Sequence, residues 1–385
     1  MAMRTFGDDA DFLSRHTDLV VLNSCRPALV AVAPGFQGRV MTSTTGGREG
    51  PSFGWVNNDF IESGRRGTAF DNYGGEDRFW LGPEAGQFGL WFQAGKAAGM
   101  DNFRTPEGLN SGQFVVTSRG RGSVALAASF DVTNYSGTLF EVAVKRVIDV
   151  LPRERMAAHL AVTCPGGISY VGFQSTNILA NVGPKPWTRA AGLLSVWTLG
   201  MFNPLPRGLV IVPFVAGTEK DMGPMPSSDY FSQVPPERFW LAANLLFFRC
   251  DGQFRSKLGV SNRRAQRVLG SYDPDGGTLT IVQFNLPSGA AGLSYVNSRW
   301  EMPQKNPYDG DAVNSYNDGP AKPGGPSLGG FYELETSSPA AELAPDESVT
   351  HVHRTFHFTG PLDKLNSIAR QVLGVDLTTV KFPEK

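Results

Sequence analysis

Two stretches hold the residues best suited to chemistry. The first, Asn72-Tyr73-Gly74-Gly75-Glu76-Asp77-Arg78-Phe79-Trp80-Leu81-Gly82-Pro83-Glu84, gathers three carboxylates, an arginine, a tryptophan and three glycines into thirteen residues. Acids are seldom buried without partners, whereas tryptophan is usually well buried. A segment holding both reads as the wall of a polar cleft with an aromatic floor. Sugars need that kind of site, with carboxylates for hydroxyls and a ring face for the C–H surface. The competing reading is an apolar strand ending in a turn, with Asp77 and Arg78 paired at the surface. The second stretch is Glu333-Leu334-Glu335, after Phe331-Tyr332. In a strand, Glu333 and Glu335 project from one face and Leu334 from the other. Neighbouring carboxylates repel, which raises the pKa of one or both, a useful condition for acid/base work. The plainer alternative is an exposed strand face carrying solvated acids.

Further candidates surround these two. Asp251-Gly252-Gln253-Phe254-Arg255-Ser256-Lys257 puts Arg255 and Lys257 on one strand face, where they bind an acidic sugar, balance cleft carboxylates or simply follow a solvated Asp-Gly hairpin turn. His351, His353 and His357 share a face of a strand whose other face carries Val352, Phe356 and Phe358. A zinc site along one strand rarely closes a tetrahedron, so His353 is read as a substrate-facing or catalytic histidine, or as part of an ordinary exposed strand. Tyr308-Asp309-Gly310-Asp311 and Asn314 to Asp318 collect oxygen ligands. They could hold calcium, although the spacing is not that of an EF-hand, or they could form a glycan-binding loop that points Asn317 and Asp318 into the site. Of the tryptophans, Trp80 and Trp187 are the expected sugar platforms.

Composition narrows the function classes. The 385 residues carry a formal net charge of −1, which argues against a general polyanion-binding field and hence against nucleic acid. Glycine (45) and proline (27) are abundant and only 18% of residues are charged, the composition of many turns between short strands. Cys25, Cys164 and Cys250 are in no metal-type spacing and cannot all pair; they read as thiols at least partly buried. No apolar run is long enough to span a membrane. The N-terminus lacks an apolar signal region, which fits a cytoplasmic protein, or a periplasmic one already processed.

The elements that must position these residues are mostly strands. Leu19 to Leu22, Ala28 to Ala33, Gln113 to Thr117, Phe140 to Val150, Met156 to Thr163, Leu209 to Phe214, Leu245 to Arg249 and Thr278 to Phe284 are β-branched, apolar or alternating runs. Asp9 to Arg15 reads as a short helix. Pro361 to Leu373 places Leu365, Ile368, Ala369, Val372 and Leu373 on one helical face, with Gly374 as the stop. Met302 to Gly330 lacks periodicity and is too long for an ordinary connection, so it is expected to be an ordered loop at the rim of the site. Without a composition break or repeat, residues 1–385 read as one large antiparallel β-sandwich.

The order of two motifs resembles galactose-mutarotase-like proteins. Gly74-Gly75, Trp80 and Pro83-Glu84 come early; Glu335-Thr336-Ser337, Leu343-Ala344-Pro345-Asp346-Glu347 and the run to Phe358 come late. Gln37 to Ser43, Ser52 to Asn57 and Asn314 to Pro320 are similar to an uncharacterised bacterial branch of that superfamily, and this likeness covers most of the chain. The resemblance implies an all-β supersandwich with a short C-terminal helix, and Glu335 at the position of the aldose 1-epimerase catalytic base. Two departures stand out. Glu76 occupies a position where those enzymes have histidine, and the segment around Asn177 lacks the histidine that protonates the ring oxygen. The expected activity is therefore carbohydrate chemistry at an anomeric centre or glycosidic bond, in the manner of an epimerase or glycoside hydrolase. Glu335 would be base or nucleophile, Glu333 its partner, Glu76 or Glu84 the opposing acid, and Arg78 the group that orients substrate. A polysaccharide lyase acting on uronates, with Arg255 or Asn177 as neutraliser, and a non-catalytic glycan-binding protein are the alternatives. The partner in each case is a mono-, oligo- or polysaccharide.

Overall fold

A computed structural model describes residues 4–23, 27–231, 233–320 and 324–384; Cys25 lies outside them. Two antiparallel sheets form a sandwich. The larger has ten strands in the order Phe239–Ala242, Leu245–Arg249, Leu209–Pro213, Val268–Asp273, Thr278–Phe284, Ser348–Thr359, Ser169–Asn181, Leu139–Val150, Ser123–Thr133 and Val115–Arg119. The smaller has five, in the order Ser256–Ser261, Asp311–Asn317, Tyr332–Ser337, Ser195–Phe202 and Arg78–Gly82. Three strands near the N-terminus, Val20–Leu22, Leu29–Ala33 and Arg39–Thr44, make a separate small sheet. No helix among the described residues is long and apolar enough to cross a membrane.

The sequence patterns follow from what covers each strand. Leu139–Val150 alternates buried and less buried residues, as a strand with one wetted face must. Ser195–Phe202 and Leu209–Pro213 are buried along their whole length, so they read as unbroken apolar runs. The C-terminal helix, Leu362–Val372, lays Leu365, Ile368 and Ala369 against Leu279, Ile281, Phe356 and Phe358 on the outer face of the large sheet. Between the sheets, Leu258, Val313 and Leu334 pack with Val210, Leu246, Leu269 and Val282.

Two expectations about elements fail. Met156 to Thr163 is not a strand: Arg153–Leu160 is a helix entered from Pro152, and it buries Met156 and Leu160, one turn apart. The i, i+4 spacing of those two residues outweighs a weak alternation. The stretch Met302 to Gly330 is not all loop, because Asp311–Asn317 is a strand paired on both sides. Its burial on both faces, with polar side chains partnered internally, removes the period that marks a half-exposed strand.

A polar layer runs through the sandwich interior. Asp77 and Arg146, neither with any exposure, form an ion pair at 2.5 Å. Arg146 also donates to Asn177 Oδ1 at 2.8 Å, and Ser175 Oγ donates to Asp77 at 2.6 Å. His351 Nε2 and His353 Nδ1 both contact Thr336 Oγ1, at 2.8 and 2.9 Å. One hydroxyl can donate to only one of them, so it accepts an N–H from the other. Burial holds both imidazoles neutral, lowering the pKa to about 3 for His351 and about 4 for His353. Below pH 6.5 the unfolded chain therefore binds protons that the folded chain refuses. Stability from this pair is complete above pH 6.5 and is lost as the pH falls towards 4 and then 3. The melting temperature should fall over that window. His353→Gln, which removes one titration, should flatten the slope, and an unchanged slope would contradict the assignment.

Candidate active site

The strand register of the small sheet builds the site. Lys257 pairs with Tyr316, Tyr316 with Glu333, and Glu333 with Met201. In the next row on the same face, Asn314 pairs with Glu335, Glu335 with Leu199, and Leu199 with Arg78. Trp197 and Trp80 form a third row. Because successive same-face positions are two residues apart, this face points away from the large sheet and collects the polar residues. It floors a cavity whose lining includes Arg78, Glu84, Glu333, Arg255 and Lys257, among the aromatic rings of Trp80, Trp197, Trp300, Phe103, Phe231 and Phe331.

Two contacts between a cation and a carboxyl cross the rows diagonally. Arg78 Nη2 donates to Glu333 Oε1 at 2.9 Å, and Lys257 Nζ donates to Glu335 Oε2 at 3.0 Å. Trp197 Nε1 donates to the same Glu335 oxygen at 2.9 Å, while Glu335 Oε1 is buried without a partner among the described residues. The Arg78 guanidinium lies 3.9 Å from the Trp80 ring centroid, and the Lys257 ammonium lies 4.7 Å from that of Trp197. These cations therefore sit over ring faces, where the π-quadrupole favours them.

The three carboxyls differ in setting. Burial pushes the Glu333 pKa up to about 8, opposed by Arg78 and reinforced by the charge of Glu335. Burial also raises that of Glu84, opposed first by the charge of Lys257. Glu335 is fully buried and contributes no surface to the cavity; the two groups it binds, Lys257 and Trp197, do line it. Two carboxyls with raised pKa values on one aromatic-walled cavity are suited to acid/base chemistry.

The structure brings together Glu333, Glu335, Glu84, Arg78, Trp80, Arg255 and Lys257. It places the other candidates elsewhere. Glu76 is fully buried, accepting from Ser43 Oγ and His357 Nε2 at 2.9 Å and from the Ser43 N–H; it cannot oppose Glu335 across the cleft. His353 and Asn177 belong to the polar layer between the sheets. Trp187 is core, edge-on to Phe140 at 5.4 Å. Asn317 accepts from the Gly252 N–H and donates to Phe254 O, so it ties that turn to the end of its own strand, and it is not among the residues that line the cavity. Trp80, itself 4% exposed, lines the cavity, but Arg78 occupies one of its faces. Gly74 and Gly75 serve packing: Gly75 N–H donates to Trp55 O at 2.9 Å, and a Cβ on Gly74 (φ +86°) would lie 2.1 Å from that oxygen.

Trp197, Trp300 and Phe231 emerged only from the register and the loop packing. Trp197 and Trp300 were visible as two of several tryptophans. Nothing in a fully buried run such as Ser195–Phe202 tells a wall residue from a core one.

Asp318 is a buried anchor rather than a ligand-facing group. Its Oδ2 accepts the backbone N–H groups of Leu328, Gly329 and Gly330 at 2.8–2.9 Å, and its Oδ1 accepts the Tyr316 hydroxyl at 2.9 Å. Leu328 and Phe331 line the cavity, so this carboxylate orders the rim. No cluster of three or more His, Cys, Asp or Glu that could hold a metal ion occurs among the described residues. Asp318→Ala should leave three N–H groups unpaired and cost roughly 3 kcal/mol, read as a lowered denaturation midpoint. A chelator that lowered the midpoint of the unmodified protein, reversed by calcium, would show that a cation shares this work.

The comparisons agree with this architecture. The family of unknown function DUF6786 matches residues 4–383. A candidate aldose 1-epimerase from Escherichia coli K12 superposes with a TM-score of 0.51 at 12% identity, over 89% of this chain and 99% of that one. The Slr1438 protein from Synechocystis gives 0.50 at 12% identity, over 90% and 96%. No curated protein matches the chain significantly. At such identities the likeness concerns the fold. The match over nearly its whole length makes this chain a member of the DUF6786 family, built on a galactose-mutarotase-like β-sandwich.

Proposed function

We propose that the cleft binds a saccharide and acts at its anomeric centre or glycosidic bond. One observation carries this reading: carboxyls in unequal electrostatic settings share an aromatic-walled cavity with paired cations. Opening or transfer at an anomeric carbon needs a proton for the departing oxygen and a carboxylate for the opposite role. Glu333 faces the cavity and holds its proton up to about pH 8, so it takes the role of donor. Glu84 also faces the cavity, where burial raises its pKa against the charges of Lys257 and Arg255; as the second carboxyl at the surface it is assigned the opposite role. Glu335 fixes Lys257 and Trp197 through Oε2, and its Oε1 is buried without a partner among the described residues and off the cavity surface. The aromatic walls support stacking against a pyranose.

A lyase reading is weaker. The cavity-lining tyrosine, Tyr316, donates its hydroxyl to Asp318, and burial drives its pKa well up, which makes it a poor base. A glycan-library incubation with product analysis tests the proposal. Anomer interconversion or new reducing ends, without a rise in ultraviolet absorbance, is the expected outcome. A rise in absorbance would transfer the site to lyase chemistry, and thermal protection with every substrate left intact would make it a binding site only.

A further inference from the structure

Three cations line the cavity, and two of them have carboxyl partners: Arg78 hydrogen-bonds to Glu333, and Lys257 pairs with Glu335. The third, Arg255, forms no ion pair among the described residues, and its Nε is buried without a hydrogen-bond partner. Its guanidinium carbon lies over the Phe231 ring, 4.1 Å from the centroid, and 5.6 Å from that of Trp300. Ring contacts of this kind fix the plane of the guanidinium and leave its N–H edge free. Arg78 adds to the surplus of donors. It is 2% exposed and lines the same cavity, yet its Nε and Nη1 have no partner among the described residues. Glu84 feels the charge of Arg255, but burial raises its pKa.

Resting on the saccharide reading above, we infer that the substrate is an acidic sugar, whose anionic group is held at the free edge of Arg255. A planar guanidinium matches a carboxylate or an ester phosphate or sulfate in bidentate fashion. Phe231 and Trp300 beneath it would pack against the sugar ring that carries the anion. A neutral glycan could offer these donors hydroxyl and ring oxygens but no counter-charge, so the Arg255 cation would stay uncompensated in a mostly apolar cavity, which disfavours it.

The test is calorimetric titration of the full chain with three probes: a galacturonic acid oligosaccharide, its fully methyl-esterified counterpart, and a sugar phosphate. The acidic oligosaccharide should bind roughly tenfold or more tighter than the neutral ester. Arg255→Gln should erase that difference while neutral binding persists, and Arg255→Lys should restore part of it. Tighter binding of the phosphate than of the uronate would keep the acidic class and assign the anion to an ester. Equal affinity for acidic and neutral probes, or an acidic preference that survives Arg255→Gln, would overturn the inference and leave the saccharide reading standing. Failure of all three probes to bind would overturn both.

Discussion

Glu333→Gln is expected to abolish turnover of whichever glycan the screen identifies while leaving the fold intact. Glutamine is nearly isosteric and keeps an oxygen to accept from Arg78 Nη2, the contact that Glu333 makes at 2.9 Å. It cannot donate a proton as an acid. A positioned general acid contributes roughly 10²–10⁴-fold, so kcat should fall by about that factor with binding little changed. The pH profile gives a second readout. Glu333 holds its proton up to about pH 8, so activity of the unmodified protein should fall as the pH rises through that value. The same shift bears on stability with a fixed sign. A carboxyl that keeps its proton in the folded state above the usual range of the unfolded chain stabilises the fold at low pH, and that contribution is lost as the pH rises towards 8. The variant should lack both the alkaline limb of activity and this part of the stability slope. Unchanged kcat would remove Glu333 as the donor and leave Glu84 as the candidate, to be tested by Glu84→Gln.

Much of this site was legible because period-two alternation is a local property. Glu333 and Glu335 flank Leu334, and the strand form alone puts them on one face; the same holds for Arg78 with Trp80. What alternation does not reveal is which face looks inward. The histidines at 351, 353 and 357 do share a face, as expected. Their opposite face, with Phe356 and Phe358, looked like the core side. It is covered instead by the C-terminal helix on the outside of the large sheet, so the polar face turns into the sandwich, where Thr336 and Asp77 await it. Glu76 shows a second limit. It has the parity of Arg78 and Trp80 but precedes the start of the Arg78–Gly82 strand, and the chain there is bent towards Ser43 and His357. The site aromatics from Phe231 and Trp300 come from irregular segments, where no periodicity speaks. Asp318 was visible as an oxygen ligand, and its three N–H donors lie ten to twelve residues further on, a local closure that composition could not distinguish from a cation loop.

Asp77→Ala should be among the most destabilising single changes in the protein. Arg146 is fully buried and Asp77 is its one counter-ion among the described residues, at 2.5 Å. Removing the carboxylate strands a guanidinium in the sandwich interior and frees the Ser175 hydroxyl from its acceptor. Taking one partner from a buried pair costs about 3–5 kcal/mol, because the remaining charge has lost both water and its counter-ion. The pair itself is not the source of that stability, since two desolvated ions largely offset their own attraction. A double replacement, Asp77→Leu with Arg146→Met, should therefore recover most of the loss in a denaturant titration even though it deletes the ion pair altogether. Recovery would also locate the function of the polar layer. Asp77 precedes Arg78, and alternation sends the two to opposite faces of the small sheet, one into the interior and one into the cleft. If the apolar double variant folds but binds glycan more weakly, the buried pair fixes the strand that presents Arg78 and Trp80. If it folds and binds unchanged, the cleft depends only on its own contacts, Arg78 with Glu333 and Lys257 with Glu335. A midpoint for Asp77→Ala close to that of the unmodified protein would show that water reaches Arg146, and would remove the buried-charge account of this layer.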